Sequence, residues 1–66
     1  MTNIKGREVF LEFIPMGSIV KVTAMDTQSM TEISIQGPKS APEEALKHNA
    51  LLRLEYVLKK KGILPS

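Results

Sequence analysis

The sequence has no cysteine. Its absence excludes disulfides and thiolate zinc sites, and fits a reducing compartment. No apolar run approaches the roughly 20 residues of a membrane span. The N-terminus also lacks the continuous apolar stretch of a signal peptide. These features lead us to expect a soluble, cytoplasmic protein that makes no membrane contact. There is a single histidine, His48. With Glu44 four residues earlier it offers one imidazole and one carboxylate on an exposed helix, a poor metal site. No serine or threonine has a paired base, so nucleophilic catalysis lacks its partner group. Glu8 and Glu12 share a strand face, where solvated carboxylates are the ordinary reading. Gly37-Pro38-Lys39-Ser40 lacks the glycine spacing and the Gly-Lys-Ser/Thr of a phosphate loop. No catalytic residue, metal, cofactor or small-molecule ligand is expected, and the protein is not expected to be an enzyme.

What is present is a folded composition in a short chain. The 66 residues make one domain, 1–66, with an apolar fraction of 42%, too high for disorder. A chain this short buries only about 60% of the surface its unfolded form exposes. With disulfides and metal excluded, association with another subunit is the remaining aid to stability. The net charge is +2. Residues 1–39 are balanced, so the excess sits in residues 40–66. That is too little to identify a nucleic-acid-binding protein.

Hydrophobic periodicity predicts three strands, about 7–14, 19–25 and 30–36, and one helix, about 41–60. The first six residues read as polar and frayed. In the first strand Val9, Leu11 and Phe13 share one face; Glu8, Phe10, Glu12 and Ile14 share the other. Pro15-Met16-Gly17-Ser18 and Asp26-Thr27-Gln28-Ser29 read as turns. Pairing Phe13 with Val20 and Val22 with Ile33 gathers one apolar face, sets Glu12 against Lys21, and sets Met25 against Met30. Strand two is then central. Gly37-Pro38 ends the third strand. Ser40 and Glu43 read as a capping box with Pro42 in the first turn, and Gly62 as the residue after the helix. On the helix, Leu46, Ala50, Leu54, Val57 and Leu58 form a stripe for the sheet. The expected architecture is α+β: a three-stranded antiparallel meander packed against one C-terminal helix, β-β-β-α.

Two apolar surfaces are left over. Ala45, Leu52 and Tyr56 fall on the far side of the helix, where Ile63 and Leu64 of the tail offer possible cover. Phe10, Ile14, Ile19, Met25 and Met30 share the outer face of the sheet. Scattered surface apolar residues are ordinary, but these two groups make Phe10, Ile14, Ile19, Met25, Met30, Leu52 and Tyr56 candidate contacts to a second copy or a protein partner. The open edges of strands one and three offer a further route. Asn49, Arg53, Tyr56 and Lys60 lie in one arc of the helix, and Lys59-Lys60-Lys61 follows. Asn49, Arg53, Lys59, Lys60 and Lys61 are thus the candidate nucleic-acid contacts of an alternative reading. Their ordinary reading is helix-dipole complement and an i,i+4 pair between Glu55 and Lys59.

Arg7-Glu8-Val9, Gly17, Val20-Lys21-Val22-Thr23-Ala24, Gly37-Pro38, Ala41-Pro42 and Leu54-Glu55-Tyr56-Val57-Leu58 together resemble a family of short alphaproteobacterial proteins of unknown function. The resemblance implies a bacterial cytoplasmic protein and brings no activity or site residues. The order of three strands and a helix is also similar to the last four elements of a double-stranded RNA-binding domain. That family has a helix before its first strand and a lysine-rich start to its last helix. Here six residues precede Arg7, and Lys39 is followed by Glu43 and Glu44. The expectation is a small non-enzymatic interaction or structural domain, self-associating as a homo-oligomer, with weak RNA binding as the alternative.

Overall fold

The computed structural model describes residue 4 and residues 6–65. Three strands, β1 (Val9–Met16), β2 (Ile19–Asp26) and β3 (Thr31–Pro38), precede one helix, α1 (Glu43–Lys60). The strands form one antiparallel sheet in the order β1-β2-β3. The α+β meander with its C-terminal helix is therefore as expected, with β2 central.

The register differs from the expected one in both hairpins. Phe13 lies opposite Val22 and Leu11 opposite Ala24. Val22 lies opposite Ile35 and Ala24 opposite Ile33. Both pairings are displaced by two residues from those read off the alternation. A slip of two keeps each side chain on its face, so alternation cannot detect it. The turns decide instead. Met16 pairs with Ile19, which leaves Gly17-Ser18 as a two-residue loop. Gly17 has φ 64, the positive φ at the first central position that a type II′ hairpin turn requires. Pro15 and Met16 are therefore strand residues. At the other hairpin, Asp26 pairs with Thr31, so Asp26 ends β2 and does not open the turn. Met30 lies in the loop at φ 60, not in β3. Glu12 faces Thr23, and Lys21 faces Ile14, so the direct Glu12–Lys21 pairing within one chain is not made.

The core lies between α1 and one face of the sheet. Val22, Ala24, Leu46, Ala50, Leu54 and Leu58 are buried. Val9, Leu11, Phe13, Val20, Ile33 and Ile35 pack around them. The buried helix residues recur every fourth position, which keeps them on one side of α1. Val57 and Leu51 are half-buried at the margins. Gly37 does not end β3. It pairs with Val20, and a Cβ there would overlap Leu46 Cδ2. The missing side chain lets the first turn of α1 approach the sheet.

The expected capping box is absent. Pro42 is the N-cap, with extended φ and ψ and no side-chain cap bond. Pro42 instead supplies the carbonyl for the Ala45 and Leu46 N–H groups. The C-terminus closes as a Schellman motif. Gly62 N–H donates to the Lys59 carbonyl, Ile63 N–H to the Leu58 carbonyl, and Gly62 takes φ 79. Leu64 then packs on the core, as does Ile4. Fraying of the first six residues does not hold for Ile4; for residues 1–3 and 5 that expectation lies outside the described residues.

Candidate functional site

Alternation sends Phe10, Glu12, Ile14 and Met16 of β1 to the sheet face opposite the core. They share it with Ile19, Lys21, Thr23 and Met25 of β2 and with Glu32, Ser34, Gln36 and Pro38 of β3. Four cross-strand rows result: Phe10–Met25–Glu32, Glu12–Thr23–Ser34, Ile14–Lys21–Gln36 and Met16–Ile19–Pro38. The two end rows carry most of the apolar surface, and the two middle rows carry polar groups. Thr23 Oγ1 and Ser34 Oγ are hydrogen-bonded at 3.0 Å. Phe10 is 65% exposed and lines a shallow hollow with Glu12, Thr23, Met25 and Glu32. Among the described residues, no element covers this face. Five of the seven candidate protein contacts are expected on the sheet, but the structure gathers only four there: Phe10, Ile14, Ile19 and Met25. Met30, 67% exposed, is carried away from them by its place in the loop. Met16, read from sequence as a turn residue, takes its place on the face.

The far side of α1 carries Leu52 and Tyr56, both exposed. Packing of Leu64 on the core leaves them so. The Tyr56 ring is flanked by two cations: Arg53 Cζ lies 5.4 Å from the ring centroid and Lys60 Nζ 5.8 Å. Their spacings of three and four residues place them on adjacent turns beside the ring. Asn49 is exposed nearby in sequence. The other two lysines turn elsewhere. Lys59 Nζ lies 3.6 Å from Glu55 Oε2, and Lys61 Nζ donates to Thr31 Oγ1 at 3.4 Å. The five candidate nucleic-acid contacts therefore do not form one basic patch. His48 is exposed on the helix, and among the described residues no three potential metal-ligating side chains of His, Cys, Asp or Glu gather.

A polar cluster that the sequence reading missed closes one end of the core. Asp26 continues the alternation of Val20, Val22 and Ala24, so it points inward and is fully buried. Arg7 continues the alternation of Val9, Leu11 and Phe13 and meets it there. Arg7 Nε donates to Asp26 Oδ1 and Arg7 Nη2 to Oδ2, each at 3.0 Å. The Ser29 N–H donates to Oδ2 at 3.0 Å, and the Ser29 hydroxyl donates to the same oxygen. Ser29 Oγ also lies 2.8 Å from Thr31 Oγ1. The Arg7 hydrogen bonds, followed by those from Ser29, hold the Asp26 carboxyl down at about 2 against burial, which opposes them. A carboxylate so held, with donors on both oxygens, is a poor proton acceptor. What it does is join the approach to β1, the end of β2 and the β2–β3 loop. Lys61 adds the helix end through Thr31. The signal was available: Arg7 reads as the first residue of strand one, whose inward phase it shares, but Asp26 reads as opening the turn, so the sequence does not bring the two together.

A family model described as a domain of unknown function (DUF6898) matches residues 6–61. The chain belongs to this family. The match runs from just before Arg7 to Lys61, so the DUF6898 region contains the whole sheet, the helix and the polar cluster. Comparison with curated proteins and with solved structures returns no match. Among the described residues, no helix of this DUF6898 chain is long and apolar enough to cross a membrane.

Proposed function

We propose that this domain is a non-enzymatic self-association module and that it assembles through the outer face of its sheet. The observation that carries this reading is the uncovered face itself. It has apolar residues in both end rows, with Phe10 at 65% exposure, in a chain whose single helix covers only the opposite side. Burying such a face against a second copy would supply the apolar area that so small a core lacks. The far side of α1 is the weaker candidate, because the Tyr56 ring is already flanked by Arg53 and Lys60. A bacterial cytoplasm is the setting that accompanies this reading.

Sedimentation equilibrium over a wide concentration range tests it. Wild type should associate, and Phe10→Asp should weaken association by about 2 kcal/mol, the scale of an interface anchor. Tyr56→Asp should leave it unchanged. A wild type that stays monomeric at its solubility limit, or an equal loss in both variants, would overturn the choice of face.

The flanked tyrosine supports a second reading, weak binding of single-stranded RNA. In it Arg53 and Lys60 meet phosphates while Tyr56 offers a base a stacking surface. Fluorescence anisotropy with a labelled RNA oligonucleotide should then show affinity that falls steeply with salt. No binding at low salt would exclude it.

A further inference from the structure

We infer that the second copy is placed by a two-fold axis running across the strands, between the two middle rows of the outer face, and that Glu12 of each copy pairs with Lys21 of the other. The inference rests on the self-association reading above and adds the geometry of the pair.

A face-to-face pair of sheets related by a two-fold has two simple choices of axis. An axis along β2 keeps each row opposite itself. It would put Lys21 against the second copy's Lys21 and Phe10 against its Glu32, because β1 then lies over β3. The like charges in contact disfavour that arrangement. An axis across the strands reverses the rows and keeps each strand over its own copy. Phe10 then lies over Met16 of the second copy, and Met25 over its Ile19, so the apolar end rows meet each other. Ser34 lies over Gln36, a hydrogen-bonding match. Lys21 lies over Thr23, with Glu12 of the second copy one strand to the side. Strands are about 4.8 Å apart and packed sheets about 10 Å apart, a gap these two long side chains can span. The row order that produces this match is a consequence of the observed register.

Among the described residues neither Glu12 nor Lys21 makes an ion pair within the chain, so both charges are available to a partner. Area makes this a small interface. Strands of eight residues, about 26 Å long at about 4.8 Å spacing, present roughly 400 Å² per copy in projection. Two such faces amount to about 800 Å² in projection before side-chain relief is added, the small end of the range, near the roughly 1,000 Å² minimum of a specific interface. Aligned packing within about 30° suits strands of this length.

The test mixes charge variants. Glu12→Lys and Lys21→Glu each place like charges at both contacts and should weaken self-association about tenfold or more. An equimolar mixture of the two should regain near wild-type association, because each variant then complements the other. No pairing within one chain can produce that rescue. A second measurement uses the absence of cysteine. Met25→Cys and Ile19→Cys chains, mixed and treated with a bis-maleimide linker about 10 Å long, should give the mixed cross-link in preference to either homodimer. In the inferred arrangement Met25 lies about 10 Å from Ile19 of the second copy, while two Met25 positions lie about 20 Å apart, so a linker of that length joins only the mixed pair. A wild type that associates while the charge mixture gives no rescue, or while no mixed cross-link forms, overturns this arrangement and leaves self-association standing. A monomeric wild type overturns both.

Discussion

Asp26→Asn is the sharpest probe of how this small core is closed. The substitution keeps the shape of the side chain and removes the charge that Arg7 and Ser29 share. In the folded protein the Asp26 carboxyl lies at about 2, against an ordinary 3.8. The unfolded chain therefore takes up the proton more readily, and the stability this group supplies is complete above about pH 5 and is lost as pH falls through 3.8 toward 2. At full strength the difference corresponds to roughly 2.5 kcal/mol. Arg7 touches water, with 14% of its side chain exposed, and screening reduces the expected contribution to about 1–2 kcal/mol. Urea unfolding followed by far-UV circular dichroism, at one protein concentration from pH 7 down to pH 2.5, reads this directly. Wild type should exceed Asp26→Asn by about 1–2 kcal/mol at pH 7, and the gap should narrow as the pH falls below 4. Parallel pH dependences for the two proteins would refute the reasoning, since the stabilisation would then not depend on the Asp26 charge.

Three further outcomes follow from the packing. Gly37→Ala should destabilise by about 1–3 kcal/mol through overlap with Leu46, and adding Leu46→Ala should give a loss smaller than the sum of the two single losses; additive losses would show that the two positions do not meet. Met30→Gly should raise the urea midpoint, because Met30 holds φ 60, a conformation that costs a residue with a Cβ about 1–2 kcal/mol; a lowered midpoint would contradict this. Leu54→Ala, at a fully buried position on the helix, should cost about 2–5 kcal/mol, and a loss under 1 kcal/mol would mean the helix is not seated as described.

Within the sheet, polarity misled the sequence reading at Asp26, and so at its pairing with Arg7. Asp26 is charged and ends β2, where local chemistry favours a turn, and Arg7, read as opening strand one, lies two residues before β1. Each nevertheless continues the inward phase of its strand, and partners from a distant part of the chain make burial tolerable. Arg7 and Asp26 are 19 residues apart, and Lys61 and Thr31 are 30 apart. Such pairings are invisible to any window that reads propensity. The capping box failed for a related reason. Ser40 and Glu43 have the right spacing, but the chain enters α1 through Pro42, and the first turn is positioned by Leu46 over Gly37.

The sequence alone determined the order of elements, the central place of β2, the stripe that α1 buries, and the faces of the strand residues away from the turns. Periods of two and of about four residues encode these, and both are local. The tertiary structure decided the register, because a two-residue slip preserves every face and only the closed Gly17-Ser18 turn and the Met30 conformation distinguish the alternatives. It also decided which rows lie side by side on the outer face. Among the described residues, Glu12 and Lys21 are left without an ion-pair partner by that choice of register, and the position of Phe10 beside Met25 follows from the same two turns.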